Sequence, residues 1–241
     1  MSPGIVIETA LKKAGAGQDM GRKSLLAQGL SASRPVMVDP LDEPALVAFD
    51  FDGTLTVEDS FTAFLKWRAG PVRWAFGCVR LLPSAIAYLI HSNRGRMKSA
   101  AIREFLKGVS RERLEADART FAEVAAPRLF RPDALMTWRR WRASGAKTII
   151  VSATPDIIIA PFARGLGCDK LIASAFAFDK DDRVLGMLAG PNCRGPEKVR
   201  RLKEVYGEDV RLAAAYGDTT GDREMLRIAE EKGYRVFKGR P

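Results

Sequence analysis

Short apolar runs that stop abruptly at polar residues organise this chain. Ala45-Leu-Val-Ala-Phe49 ends at Asp50, Lys147-Thr-Ile-Ile-Val151 ends at Ser152, and Leu212-Ala-Ala-Ala-Tyr216 ends at Gly217-Asp218. A fourth run, Tyr234-Arg-Val-Phe237, lies near the C-terminus. Continuous apolar runs of this length read as parallel strands buried on both faces. Helical periodicity fills the intervals at residues 154–165, at 196–206 with Val199, Leu202 and Val205 on one face, and at 222–232 before Gly233. Strand and helix therefore alternate. The pattern predicts an α/β fold, a Rossmann-like doubly wound parallel sheet with ligands beyond the carboxyl ends of its strands. Residues 171–178 and 184–189, joined by Lys180-Asp-Asp-Arg183, are expected to add a β-hairpin.

Residues 60–144 show no comparable strand pattern. Leu114, Ala118, Phe121 and Ala125 keep helical register, as do Leu135, Trp138 and Trp141 after Pro132. The expected organisation is a core of residues 43–59 and 145–241 interrupted by a helical cap at 60–144. Residues 1–42, rich in Gly, Ser, Ala and Pro, read as a flexible tail with a short helix near residues 5–13. Their GAGQDMGRKS lacks the glycine spacing of a phosphate loop, and no strand precedes it. Within the cap, residues 74–90 carry one charge, Arg80, but Pro83 interrupts an uncharged run already too short to span a bilayer. This stretch is expected to be either cap interior or an interfacial or re-entrant hairpin flanked by Arg68, Arg73, Arg94, Arg96 and Lys98.

Charge sharpens the division. The net charge is +10, yet residues 1–59 hold 5 basic against 9 acidic residues, whereas 60–144 hold 17 against 6. The cap therefore attracts polyanions: nucleic acid, anionic headgroups or a multiply phosphorylated substrate. Cys78, Cys168 and Cys193 form no paired motif, which suits a reducing compartment. The first residues lack a signal-peptide pattern, so the expected location is cytoplasmic, with peripheral contact at the inner face of the plasma membrane as an extension.

The strand ends carry the candidate chemistry. Phosphate monoesters repel nucleophiles, so a catalyst needs a metal, fixed positive charge, backbone donors and an oriented nucleophile. In Asp50-Phe-Asp-Gly-Thr54, Asp50 can attack while Asp52 first donates a proton and then activates water. Gly53 allows the bend there, and amides around it can cradle phosphate. Ser152, with the neighbouring amide of Ala153, offers donors at the second strand end. Lys198 sits in the first turn of a helix, where a cation opposes the dipole unless an anion is bound. Asp218 and Asp222, in Gly217-Asp-Thr-Thr-Gly-Asp222, suit a hard cation such as Mg²⁺.

These four ordered motifs resemble those of the haloacid dehalogenase-like phosphatases, from about Ala45 to the C-terminus. The resemblance implies Asp50 as the phosphorylated nucleophile and Asp52 as general acid/base. It implies Gly53, Thr54, Ser152, Ala153 and Lys198 as phosphate contacts, and Mg²⁺ held among Asp50, Asp52, Asp218 and Asp222. The helical insertion after the first motif is similar to that of subfamily IB, which contains phosphoserine phosphatase and phosphatidylglycerophosphatase C. Asp59-Ser-Phe61, the apolar cap stretch and Cys193-Arg-Gly-Pro-Glu-Lys-Val199 resemble the lipid phosphatases. Phosphoserine phosphatases typically carry Ser at position 53 and Glu at position 59, where the side chain reads the substrate amine; Asp59 is thus a candidate for substrate selection.

The expectation is an Mg²⁺-dependent phosphomonoester hydrolase acting on a lipid phosphate such as phosphatidylglycerophosphate, with the basic cap touching anionic membrane. The alternatives are a soluble phosphoserine phosphatase-like enzyme and a catalytically silent basic binding protein. Nucleic acid is the disfavoured polyanion: the aromatics of Trp138-Arg-Arg-Trp141 fit helix-face packing. Oligomeric state is left open.

Overall fold

In the computed structural model, which describes residues 44–91 and 94–241, five parallel strands form the central sheet. The expected tail and the helix near residues 5–13 lie outside the described residues. In chain order the elements are β1 (Leu46–Phe49), α1 (Ser60–His91), α2 (Arg94–Leu106), α3 (Arg111–Leu129), α4 (Pro132–Ala143), β2 (Lys147–Pro155), α5 (Asp156–Gly165), β3 (Lys170–Ser174), β4 (Phe176–Phe178), β5 (Val184–Leu188), α6 (Pro196–Tyr206), β6 (Leu212–Gly217), α7 (Arg223–Arg227) and β7 (Ala229–Tyr234). The sheet order is β3-β2-β1-β6-β7. The chain leaves β1 to build one side and returns to build the other, so the carboxyl end of β1 is the switch point where α/β sheets open a crevice.

Alternation along β1 makes the core two-sided. Val47 and Phe49 face one apolar layer with Trp138 and Phe162, while Ala48 faces a second with Leu202, Met225 and Leu226. Helix α4 lies on the first face. The Trp138 ring sits 5.0 Å from that of Phe49, and its Nε1–H donates to the Leu166 carbonyl. Trp141 Nε1–H donates to the Tyr216 hydroxyl at 2.9 Å. Both tryptophans thus have packing roles.

Phe51, Phe121, Phe130 and Phe162 meet with centroids 5.7–6.0 Å apart and steep interplanar angles, tying the turn after β1 to α3 and α5. Each buried ring of this size contributes roughly 1.5–3 kcal/mol. The turn is thereby held from behind.

Four expected elements shift. The helix expected over 222–232 stops at Arg227, and residues 229–234 form edge strand β7, parallel to β6. Glu230, Glu231 and Lys232 look helical because an edge strand with one buried face tolerates charge. Gly233 fits beneath Tyr216, where an added Cβ would approach the ring to 2.1 Å. The fourth expected strand therefore lies earlier than residues 234–237. Residues 171–174 belong to β3 of the main sheet rather than to the hairpin, which uses only β4 and β5. Strand β2 runs on to Pro155, so the helix expected from residue 154 begins at Asp156.

Helix α1 breaks at Gly70, whose φ of 71° suits glycine, and Pro71 follows where a helix tolerates it. The part after the break packs against α2. No helix among the described residues is long and apolar enough to cross a membrane.

Candidate active site

A cavity of about 390 Å³ opens at the carboxyl ends of β1, β2 and β6, with Asp50, Asp52, Lys98, Arg194, Lys198 and Asp218 in its wall. Asp50 leaves β1 in extended conformation, and its amide donates to the Tyr216 carbonyl at 2.9 Å. Gly53 then turns the chain at φ 80°. An added Cβ there would meet Asp218 Oδ2 at 2.3 Å, so glycine suits the positive φ of the turn and lets Asp218 come close without shifting its carboxylate. The Gly53 amide itself donates to Thr56 Oγ1 at 3.2 Å, and Arg131 clamps the turn by donating from Nε to the Gly53 and Thr56 carbonyls.

Lys198 is 1% exposed and fully engaged. Its Nζ donates to Asp50 Oδ1 at 2.5 Å and to the Val151 carbonyl at 2.6 Å, and lies 2.7 Å from Asp222 Oδ1. Asp222 Oδ2 accepts from the amide and hydroxyl of Thr219, capping the turn. Both Asp222 oxygens are thereby committed. Burial would discharge Lys198, but Asp50 and Asp222 overrule it and hold the ammonium charged. Burial likewise works against the Asp222 charge, and Lys198 overrules it to keep this carboxyl low.

Asp50 is pushed up to about 7, first by burial, with Lys198 opposing and the Asp222 charge adding. Asp218 is raised as well, by burial and then by Asp222. The chain's own cation leaves surplus negative charge here, the condition a divalent ion relieves. Oxygens of Asp50, Asp218 and Asp222 lie within 4.8 Å of one another, a hard-oxygen set that fits Mg²⁺. Asp52 stands outside that set, and Thr54 Oγ1 approaches Asp218 Oδ1 at 3.5 Å.

Asp52 is held separately. Its Oδ1 accepts the Ser60 amide at 2.7 Å, and its Oδ2 accepts the Thr154 hydroxyl at 2.6 Å. Burial, then the charge of Asp59, raise it to about 6 despite those hydrogen bonds. That value suits a group that must give and later take a proton. Ser152 is buried, with Oγ accepting the Thr154 amide, and Ala153 lines the cavity. Asp59 also lines it, with Oδ1 accepting the Thr62 amide at 2.7 Å.

Sequence reasoning missed Thr154, Arg194 and the position of Lys98. Lys98 reaches from α2 to donate to the Ala153 carbonyl at 2.8 Å, with Nζ 5.2 Å from the Phe61 ring centre. Burial lowers its pKa, opposed by Asp59, Asp52 and Asp50. Arg194 donates to the hydroxyls of Thr219 and Thr220. A threonine two residues after Ser152 was a usable signal; Lys98 had none beyond its charge.

A family profile described as haloacid dehalogenase-like hydrolase matches residues 47–227. Protein CicA of Caulobacter vibrioides is 62% identical over 222 residues, which cover 92% of this chain and 100% of that protein. Among solved structures, a protein of unknown function from Bordetella pertussis Tohama I superposes with a TM-score of 0.65 at 22% identity, covering 77% of this chain and 87% of that one. A substrate-bound phosphoserine phosphatase superposes with a TM-score of 0.55 at 18% identity, covering 80% and 86%. At such identities the likeness is one of fold.

Proposed function

We propose that this chain, which belongs to the haloacid dehalogenase-like hydrolase family, is a phosphatase that hydrolyses a lipid phosphomonoester through an aspartyl-phosphate on Asp50. The observation that carries the chemistry is Asp50 at the sheet's switch point, paired with buried Lys198 beside Asp218 and Asp222. An Asp50 oxygen attacks phosphorus, and the departing alkoxide takes its proton from Asp52. Asp52, now a base, removes a proton from water, which displaces phosphate and restores the Asp50 carboxylate. Lys198 holds Asp50 in place and balances charge on the phosphoryl oxygens. Asp50 and Asp218 would hold Mg²⁺, which when bound neutralises phosphoryl charge in the transition state.

The same surplus charge gives a metal prediction with a definite sign. A carboxyl raised in the folded state contributes stability at low pH that is lost as pH rises through its folded value, about 7 for Asp50. Mg²⁺ is therefore expected to raise the melting temperature more at pH 8 than at pH 5. At a hundredfold excess over Kd the rise should be roughly 5–10 °C for a chain of this size. Calorimetry with and without EDTA measures it, and an equal or reversed pH order would refute the assignment. Phosphate release should stop in EDTA and return with Mg²⁺.

The far part of α1 supports the lipid assignment. Val72, Phe76, Val79, Leu82 and Ile86 are 55–68% exposed and recur at intervals of three or four residues, forming a stripe on one face. No acidic residue occurs between Pro71 and His91, and Arg73 and Arg80, both paired with Glu104 of α2, remain 44% and 72% exposed. Such a face suits the interface of an anionic membrane. The protein is expected to sediment with phosphatidylglycerol vesicles, and Phe76→Asp to lower that partition about 10–100-fold, the value of burying one such side chain. Unchanged sedimentation of the variant would remove the membrane contact. A screen of phosphatidylglycerophosphate against phosphoserine tests the substrate. Asp59 in the cavity wall favours a second reading, an amine-bearing soluble substrate, which strong turnover of phosphoserine without lipid turnover would establish.

A further inference from the structure

A second cavity, about 490 Å³, lies between the far part of α1 and α2, walled by Trp74, Leu81, Ala85, Met97, Ala101 and Phe105. It adjoins the catalytic cavity: Asp59 and Lys98 line both. Phe105 stacks on Trp74 with centroids 5.1 Å apart, and Gly77 leaves the room for it, since an added Cβ would come within 2.2 Å of the Phe105 ring. The space opens to solvent along exposed Cys78, and an apolar groove of this size joined to a polar reaction centre is the usual form of a ligand-binding site. Polarity is also graded along the path. Carboxylates and Lys198 stand at the reaction centre, Lys98 and Asp59 at the junction, and aliphatic and aromatic side chains beyond it.

We infer that this chamber receives one hydrocarbon chain of the substrate while its phosphate lies at Asp50. This deepens the phosphatase reading and rests on it for the kinetic test alone. Lys98 at the junction is placed to meet polar or anionic groups between the phosphate and the chain. With the exposed stripe on the opposite side of the same helix, the groove would cover part of the chain while the helix rests on the bilayer.

The test uses straight-chain alkyl phosphates from ethyl to decyl, below their micelle concentrations, with the full chain and Mg²⁺. Each added methylene should raise kcat/KM about fourfold until the chamber is filled, so octyl phosphate exceeds ethyl phosphate by at least about a hundredfold. Ala101→Trp and, as a second variant against misfolding, Ala85→Trp fill the space and should lower the octyl-to-ethyl ratio at least tenfold. A ratio below threefold in the wild type, or an unchanged ratio in both folded variants, would overturn the chamber while leaving the hydrolase chemistry intact. If no monoester is turned over, the phosphatase reading fails instead. Calorimetric titration of Asp50→Asn protein with octyl and ethyl phosphate then decides the chamber independently, and equal Kd values sink it.

Discussion

Replacing Asp50 by asparagine is expected to lower kcat by roughly 10⁴-fold or more, the scale of loss when an attacking nucleophile is removed. The amide has nearly the same shape and still offers an oxygen to Lys198 Nζ, which stays paired with Asp222. The fold should survive, because the variant removes a buried charge that the site already disfavours, as the rise of Asp50 to about 7 shows. What disappears is the only feature asparagine cannot copy, an anionic oxygen able to bond to phosphorus. Two readouts separate this from mere damage. Wild-type protein mixed with labelled substrate and quenched in acid should carry base-labile phosphate, and the variant none. Its melting temperature without metal should match or exceed that of the wild type at pH 8. A variant keeping a tenth of wild-type turnover would end the covalent mechanism; Asp50→Ala guards against slow deamidation restoring the aspartate.

Much of this site is legible in the sequence because buried parallel strands announce themselves. Val47, Ala48 and Phe49 are all fully buried, so the strand has no polar face, and the first polar residue after it marks the crevice. The same logic locates Ser152 and Asp218. It fails at the edge of the sheet, where β7 buries only Ala229 and Gly233 and the string Ala-Glu-Glu-Lys reads as helix. Pairing with β6 decides its conformation, and backbone pairing leaves no mark on side-chain pattern. Distance along the chain hides other parts. Lys98 is a site residue because α2 folds back over the sheet, and Thr154 matters because its hydroxyl meets a carboxylate 102 residues away. Asp222 stands among the metal-fitting oxygens, yet its contacts with Lys198 and Thr219 depend on a helix start and a turn that its position in the sequence does not reveal.

The partner prediction concerns Asp52, and its value lies in depending on the leaving group. Asp52→Asn should cost about 10²–10⁴-fold on an alkyl phosphate, the usual worth of general acid catalysis. The structure makes this substitution clean. Thr154 can rotate its hydroxyl to accept from the new amide, and the Ser60 amide still finds an oxygen. Only proton transfer is lost. A nitrophenolate leaves without needing a proton, so the first chemical step with nitrophenyl phosphate should be nearly unimpaired. The second step still needs a base to activate water, and asparagine cannot serve. Aspartyl-phosphate on Asp50 should therefore accumulate, visible as a burst of nitrophenolate close to one equivalent per enzyme, followed by slow turnover. For the alkyl ester there should be no burst, because formation of the intermediate is itself slowed. Equal first-turnover losses for the two substrates would show that Asp52 positions the site rather than exchanging protons. A burst confined to the nitrophenyl ester would assign both proton transfers to this one carboxyl, the group that burial and Asp59 have already raised to about 6.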